Sequence, residues 1–335
     1  MAKITFRDIA KAAGVGTATV ERVLNARGGV QPQTVEKVIA AARRLDYPRR
    51  LPAKHRGILR IEILMVRPEL SFIARLSRAF ERISANLDRA IAVHRTIMDE
   101  GNPEAVAARI LGPGSHRSAL IVALPNHPAI SAALHKVRAA GLPVVQLMTP
   151  MQGLDTPFVG IDNEAAGRMA GLLMAGLQQR PGKVVALCHS QIYGVHRARM
   201  RGFSDFKAKT KAAHLDFRYI GFTRDDDHEA ARVLAGVLAA TPDIVGVYSA
   251  GGDYGALCDL LRKTRQPTPI CFIGHELTEQ SAAALREGTM AAVIDQAPET
   301  QARRAIDTAL HQLGLLRTEV DASPIRFVTV TAENL

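Results

Sequence analysis

Apolar positions recur every three to four residues in three short stretches at the amino terminus, then give way to alternating strand and helix patterns. In the first stretch Ile9, Ala10 and Ala13 share one helical face. That helix opens on Thr5-Phe-Arg-Asp8, a capping-box pattern: the Thr hydroxyl can accept from the amide three residues on, and the Asp can reach back. Gly14-Val-Gly16 breaks the helix, and a second starts at Thr17 with Val20, Val23 and Leu24 inward. Arg27-Gly-Gly29 ends it. Pro32 suits the first turn of a third helix, whose apolar stripe is Val35, Val38, Ile39, Ala42 and Leu45. Two helices joined by a tight glycine-containing turn form a helix-turn-helix.

From Arg60 onward the pattern alternates strand and helix. Arg60–Val66, Ala90–Ile97, Ser118–Leu124 and Pro143–Leu147 read as strands, with helices at Ser71–Asn86 and near 103–111 and 128–140. After a turn-rich stretch, Pro150–Pro157, the pattern restarts. Strands near 183–188, 217–221, 243–249, 269–273 and 290–294 then alternate with helices near 163–179, 196–209, 228–240, 253–265, 277–286 and 299–314. This order predicts parallel sheets with right-handed crossovers. The length exceeds one such sheet, so the expected fold is an all-α head (1–48), a linker (49–58) and an α/β body (59–335) of two Rossmann-like lobes. Ligands of open α/β sheets bind at the carboxyl ends of the strands, here between the lobes.

Charge separates head from body. Of a net +11, residues 1–60 hold 13 Lys/Arg against 4 Asp/Glu, and the remainder 30 against 28. A basic head binds polyanions, because Lys and Arg displace counterions condensed on phosphates. The second helix of a helix-turn-helix lies in the major groove of DNA. Its outward residues here are Thr17, Ala18, Glu21, Arg22 and Asn25. Thr and Ala methyls can meet a thymine methyl, and Arg can pair bidentately with guanine. Asn25 can contact DNA or simply cap the helix. No stretch of about 18 uncharged apolar residues exists, and the charged start does not read as a secretory signal. Cys188, Cys258 and Cys271 are too scattered for a disulfide framework or zinc site. The expectation is a cytoplasmic protein without membrane attachment or cofactor.

The head runs Ile4-Thr-Phe-Arg-Asp-Ile-Ala-Lys-Ala-Ala-Gly-Val-Gly-Thr-Ala-Thr-Val-Glu-Arg-Val-Leu-Asn25, then Thr34-Val-Glu-Lys-Val-Ile-Ala-Ala-Ala and Leu45-Asp-Tyr-Pro48. These segments resemble, without a gap, the head of the lactose-repressor (LacI/GalR) family of regulators. It implies a homodimeric, effector-controlled transcription factor, a repressor, reading a pseudo-palindromic double-stranded operator. Thr17, Ala18 and Arg22 fall where the family reads bases; Thr5, Thr19 and Asn25 fall where it mostly touches the backbone. Glu21 departs from the small polar residue usual there, which predicts a different operator unless it accepts from cytosine or pairs with Arg22. The linker Pro48-Arg-Arg-Leu-Pro-Ala-Lys-His-Arg-Gly57 is shorter than the family's hinge helix and has two prolines. Leu51 is its one plausible minor-groove wedge; the other reading, which we favour, is a basic tether.

In the body, Val159-Gly-Ile-Asp-Asn-Glu-Ala-Ala-Gly-Arg-Met-Ala170 looks like the crossover segment, and Arg199-Met-Arg-Gly-Phe203 like the Arg-x-x-Gly-Phe motif, of the same family and of periplasmic sugar-binding proteins. This weaker resemblance implies a type I periplasmic-binding-protein fold. Ala250-Gly-Gly-Asp253, Gly274-His-Glu-Leu277 and Val293-Ile-Asp-Gln296 stand where ligand-binding segments lie. The implied ligand is a sugar or polyol, whose hydroxyls suit planar bidentate groups. Arg199, Glu276 and Gln296 are the leading effector residues, followed by Phe72, Met148, Asp253 and Tyr193. Arg197 and Arg201 read as solvated, and Arg199 could be so too. Asp162 and Asn163 can cap a helix or touch ligand. Met148-Thr149 replaces the Asp-Arg pair of ribose-type binders, Gly252 replaces an Asn, and Glu276 is one carbon longer than the usual Asp. Asp225-Asp-Asp-His228 reads as a solvated helix start, not a metal site, and no catalytic set or phosphate loop is visible. The competing reading is a solute-binding protein or small-molecule enzyme on the same body.

Overall fold

The computed structural model describes residues 4–25, 29–45, 47, 58–114, 116–188, 194–209, 214–223, 226–251, 253–264 and 269–335. Leu51, with the linker to residue 57, and Tyr193 lie outside them. The chain divides into two compact units, Met1–Leu59 with Asp88–Ala92, and Arg60–Leu87 with Val93–Leu335.

The first unit holds three helices, α1 (Phe6–Ala13), α2 (Thr17–Leu24) and α3 (Pro32–Arg44). Their inward faces close on Ile9, Val20, Val23, Val38, Ile39 and Ala42, all buried. Gly14 stops α1 because its left-handed backbone, φ 65°, turns its amide back to the Ala10 carbonyl. The expected capping box forms between Thr5 and Asp8. The Thr5 amide donates to Asp8 Oδ2 at 2.8 Å, and the Thr5 hydroxyl donates to the same oxygen at 2.7 Å. The carboxylate is the strongest acceptor nearby, so both donors turn to it. The Asp8 amide also donates to the Thr5 carbonyl at 3.1 Å.

The second unit contains two sheets. Strands β1 (Leu59–Val66), β2 (Ile91–Met98), β3 (Ala119–Ala123), β4 (Val144–Leu147) and β5 (Phe158–Val159) form the first, in the order β2-β1-β3-β4-β5. Helices α4 (Ser71–Ser84), α5 (Pro103–Leu111) and α6 (Pro128–Ala139) connect them. The chain then crosses at 160–162 into α7 (Asn163–Leu177) and the second sheet. That sheet has strands β6 (Gly182–Cys188), β7 (Leu215–Phe222), β8 (Ile244–Ser249), β9 (Cys271–His275), β10 (Ala292–Asp295) and β11 (Val328–Val330), ordered β11-β10-β9-β8-β6-β7. Its helices are α8 (Gly194–Lys209), α9 (Asp227–Ala240), α10 (Gly255–Lys263) and α11 (Glu279–Arg286). The last long helix, α12 (Pro298–Gln312), leaves the second sheet and packs on α4 and strands β3, β4 and β5 of the first lobe.

Buried apolar runs such as Ala-Leu-Ile-Val-Ala in β3 are what a sheet covered on both faces requires. Glu62 in β1 is one exception, and its buried carboxylate is held by Arg109 at 2.6 Å and Arg117 at 3.1 Å. One expectation needs correction: the second sheet is not wholly parallel. The chain returns from α12, bridges Ile161 to Ile325, and adds β11 antiparallel to β10. Both β5 and β11 are too short to carry a readable period.

Candidate functional site

In the head, α2 turns Thr17, Ala18 and Arg22 to solvent, with Thr19 and Glu21 half-covered. This follows from Val20 and Val23 facing the core, since residues three apart share a helical face. Asn25 is exposed at the C-cap position, its amide donating to the Glu21 carbonyl. Thr5 is exposed at the start of α1.

In the body, a cleft opens between the lobes at the carboxyl ends of the strands. Phe72, Met148, Arg199, Asp253, Glu276 and Gln296, which the sequence spreads over more than 220 positions, all line it. Arg199 is 2% exposed, whereas Arg197 and Arg201 on the same helix are solvated. Its Nε donates to Asn163 Oδ1 at 2.8 Å and its Nη1 to the Ala250 carbonyl at 2.7 Å. Its Nη2 faces Glu276 Oε1 across 3.9 Å, too far for a hydrogen bond. The Gln296 amide donates to Glu276 Oε1. Glu276 Oε2 is buried with no hydrogen-bond partner. Burial pushes the Glu276 carboxyl up from 4.5 to about 7, against the pull of Arg199.

Backbone geometry concentrates at this end of the sheets. The described non-glycine residues with a left-handed backbone are Arg67, Met148, Glu276 and Ala297. The first three follow directly on β1, β4 and β9 and line the cleft; Ala297 follows Gln296. Such a conformation costs an ordinary side chain about 1–2 kcal/mol. Each turns the chain sharply enough to leave its side chain, or its neighbour's, at the mouth of a strand.

The residues behind the cleft hold these groups in place. Asp162 caps α7, accepting from the Ala165 amide at 2.8 Å, while Asn163 is buried and orients Arg199. Of the two residues that the sequence left undecided, Asp162 is thus the cap and Asn163 the partner of Arg199. Phe203 stacks on Tyr248 with centroids 4.4 Å apart, and the Tyr248 hydroxyl lies 2.9 Å from His275 Nε2. Arg75 of α4 donates to Asp295 at 2.5 Å and to the Leu277 carbonyl at 2.8 Å, so a first-lobe cation pins the residues beside Glu276 and Gln296. Sequence reading missed Arg75, His196 and Ser71. His196 lies three residues before Arg199 on one helical face, and Ser71 opens the helix after β1, so spacing could have found both. Of the Asp225–His228 run, Asp225 lies outside the described residues; Asp226 caps α9, and Asp227 accepts from the Ala256 amide at 2.6 Å, so neither is simply solvated. Among the described residues no group of three or more His, Cys, Asp or Glu is placed to hold a metal, and no helix is long and apolar enough to cross a membrane.

Comparison with known proteins places this geometry. The family model for the periplasmic binding protein domain matches residues 115–315, and that for bacterial regulatory proteins of the lacI family matches residues 5–49. The ribose import binding protein RbsB of Escherichia coli (strain K12) is 26% identical over 195 residues, 57% of this chain; the matched stretch spans 64% of that protein. The ribose operon repressor of Halalkalibacterium halodurans is 34% identical over 99 residues, covering 28% of this chain and 29% of that one. A periplasmic solute binding protein from Actinobacillus succinogenes, solved with bound D-allose, superposes with a TM-score of 0.73 at 20% identity, over 82% of this chain and 98% of its own. The chain therefore belongs to the periplasmic binding protein domain family and carries at its amino terminus a helix-turn-helix head of the lacI family of bacterial regulatory proteins.

Proposed function

We propose that this chain is a transcription regulator, a repressor, whose binding to a DNA operator is controlled by a sugar or polyol held between the two lobes. The observation that carries the reading is the union, in one chain, of a lacI-family head and a cleft lined by buried Arg199, Glu276 and Gln296. A solute-binding reading accounts for the body, where RbsB matches, but leaves the head without a role. The names of two relatives speak of ribose, which supports a sugar effector. In this reading a cytoplasmic homodimer presents two copies of α2 to a pseudo-palindrome, and the chain performs no catalysis. Thr17, Ala18 and Arg22 read bases; Thr5, Thr19 and Asn25 touch the backbone. Effector and DNA affinities are then reciprocally coupled, typically by about 1–3 kcal/mol.

The test is a gel shift at physiological salt with palindromic sites upstream of neighbouring genes. A specific shift, altered by a bound sugar, is expected; no specific shift at any such site sinks the reading. Arg22→Ala should cost about 1–3 kcal/mol and relax base choice at one operator position. An unchanged base-substitution panel would remove Arg22 from the groove.

A further inference from the structure

We infer that the effector is a sugar with a methyl group in place of its terminal hydroxymethyl, a terminally deoxygenated aldose. The inference rests on the sugar reading above and adds the chemistry that the two walls of the cleft select.

The walls differ in kind. From the second lobe come His196, Arg199, Asp253, Glu276 and Gln296, with Val195 and Gly251. From the first lobe come Val66, Leu70, Phe72, Ile73 and Met148, with Arg67 and Ser71. The Arg67 guanidinium turns to acids of its own lobe, donating to Glu69 at 2.8 Å with Glu100 at 3.7 Å. Ser71 therefore gives this wall one polar point amid five apolar side chains.

The polar wall asks for a hydroxyl. Arg199 Nη2 and Glu276 stand 3.9 Å apart, and the second carboxylate oxygen of Glu276 is buried and unpartnered. A ligand group that bridges Arg199 and the ionised Glu276 accepts from a guanidinium and donates to a carboxylate. A hydroxyl does both; an ether, a carboxylate or an ammonium does not.

The apolar wall sets the opposite demand. A fully hydroxylated aldose carries hydroxyls around its whole rim. One turned toward Phe72, Ile73 and Met148 loses water and gains no partner, which costs about 1–3 kcal/mol. A terminal methyl in the same place gains burial instead. The two effects act together, so the methyl-ended member of a matched pair should bind about tenfold tighter or better.

The full-length protein is titrated calorimetrically with matched pairs: D-ribose and 5-deoxy-D-ribose, D-galactose and 6-deoxy-D-galactose, L-mannose and 6-deoxy-L-mannose. In any pair that binds, the deoxy member should be at least about tenfold tighter. Equal or tighter binding of the hydroxylated member overturns the inference while leaving the sugar reading intact. Binding of no sugar or polyol in an extended panel, including hexitols and pentitols, overturns the sugar reading itself. Met148→Asn provides a second arm. Asn tolerates the left-handed backbone that Met148 already adopts, φ 68°, so the variant adds polarity to the apolar wall with little strain. It should narrow or reverse the preference within the pair. An unchanged ratio removes the apolar wall from ligand selection.

Discussion

Glu276 sets burial against charge at the residue scale. It is 5% exposed, and burial lifts its carboxyl from 4.5 to about 7, with Asp295 adding to the rise. Arg199 from α8, the Gln296 amide beyond β10, and Arg75 from α4 pull it back. The native state therefore holds a proton that the unfolded chain releases near 4.5. The stability that this group contributes is complete below about pH 4.5 and is lost as pH rises through about 7. At about 1.4 kcal/mol per unit the total is on the order of 3 kcal/mol. Chemical denaturation between pH 5 and 8 should show the native protein losing stability relative to Glu276→Gln as pH rises; parallel profiles would place the carboxyl near its ordinary value. Arg199, Glu276 and Gln296 were legible in the sequence because each lies in a motif at a strand end or helix start. Their network was not, since the orphaned oxygen and the 3.9 Å gap exist only once three separate strand and helix ends converge.

Two glycines govern the packing of α7 on α8. A Cβ at Gly202 would lie 2.0 Å from the Glu164 carbonyl oxygen, and one at Gly167 would lie 2.0 Å from that of Arg199. The helices approach backbone to backbone at both points, which brings Arg199 to Asn163. Gly202→Ala must push the helices apart. It should cost about 1–3 kcal/mol in denaturation and weaken sugar binding along with it. Gly236 in α9, where a Cβ meets nothing within 4 Å, is the control: Gly236→Ala should be neutral or stabilising by up to about 1 kcal/mol. If both substitutions behave alike, close approach is not what Gly202 provides. A glycine inside a helical pattern does not by itself announce a close approach, as Gly236 shows, and the glycine of the Arg-x-x-Gly-Phe motif has to be placed in the fold before its role is visible. Which helix it meets depends on a crossover that no local pattern encodes. The same holds for β11, whose three residues pair antiparallel only because α12 carries the chain back from the first lobe.

Over the whole molecule, two units carry separate apolar cores. Ile9, wholly buried, belongs to that of the head. Ile9→Ala should remove about 2–5 kcal/mol from the head and abolish specific DNA binding. The thermal transition of the body and its shift by sugar should remain, because Ile9 contributes nothing to the body's core clusters. A parallel fall in both transitions would mean that the two units unfold as one. What the sequence by itself determined was whatever local periodicity and charge encode: a basic three-helix head, the strand–helix alternation of the body, and the polar residues at strand ends. Burial imposes its period on the chain whether or not the neighbours are known. What only the tertiary structure decided was what depends on distance between remote segments. It made Asp162 a cap and Asn163 the partner of Arg199, drew Arg75 across to Asp295, and set a polar wall opposite an apolar one. Hydrogen bonds and desolvation act over a few ångströms, and those separations are fixed by how the sheets and crossovers fold together.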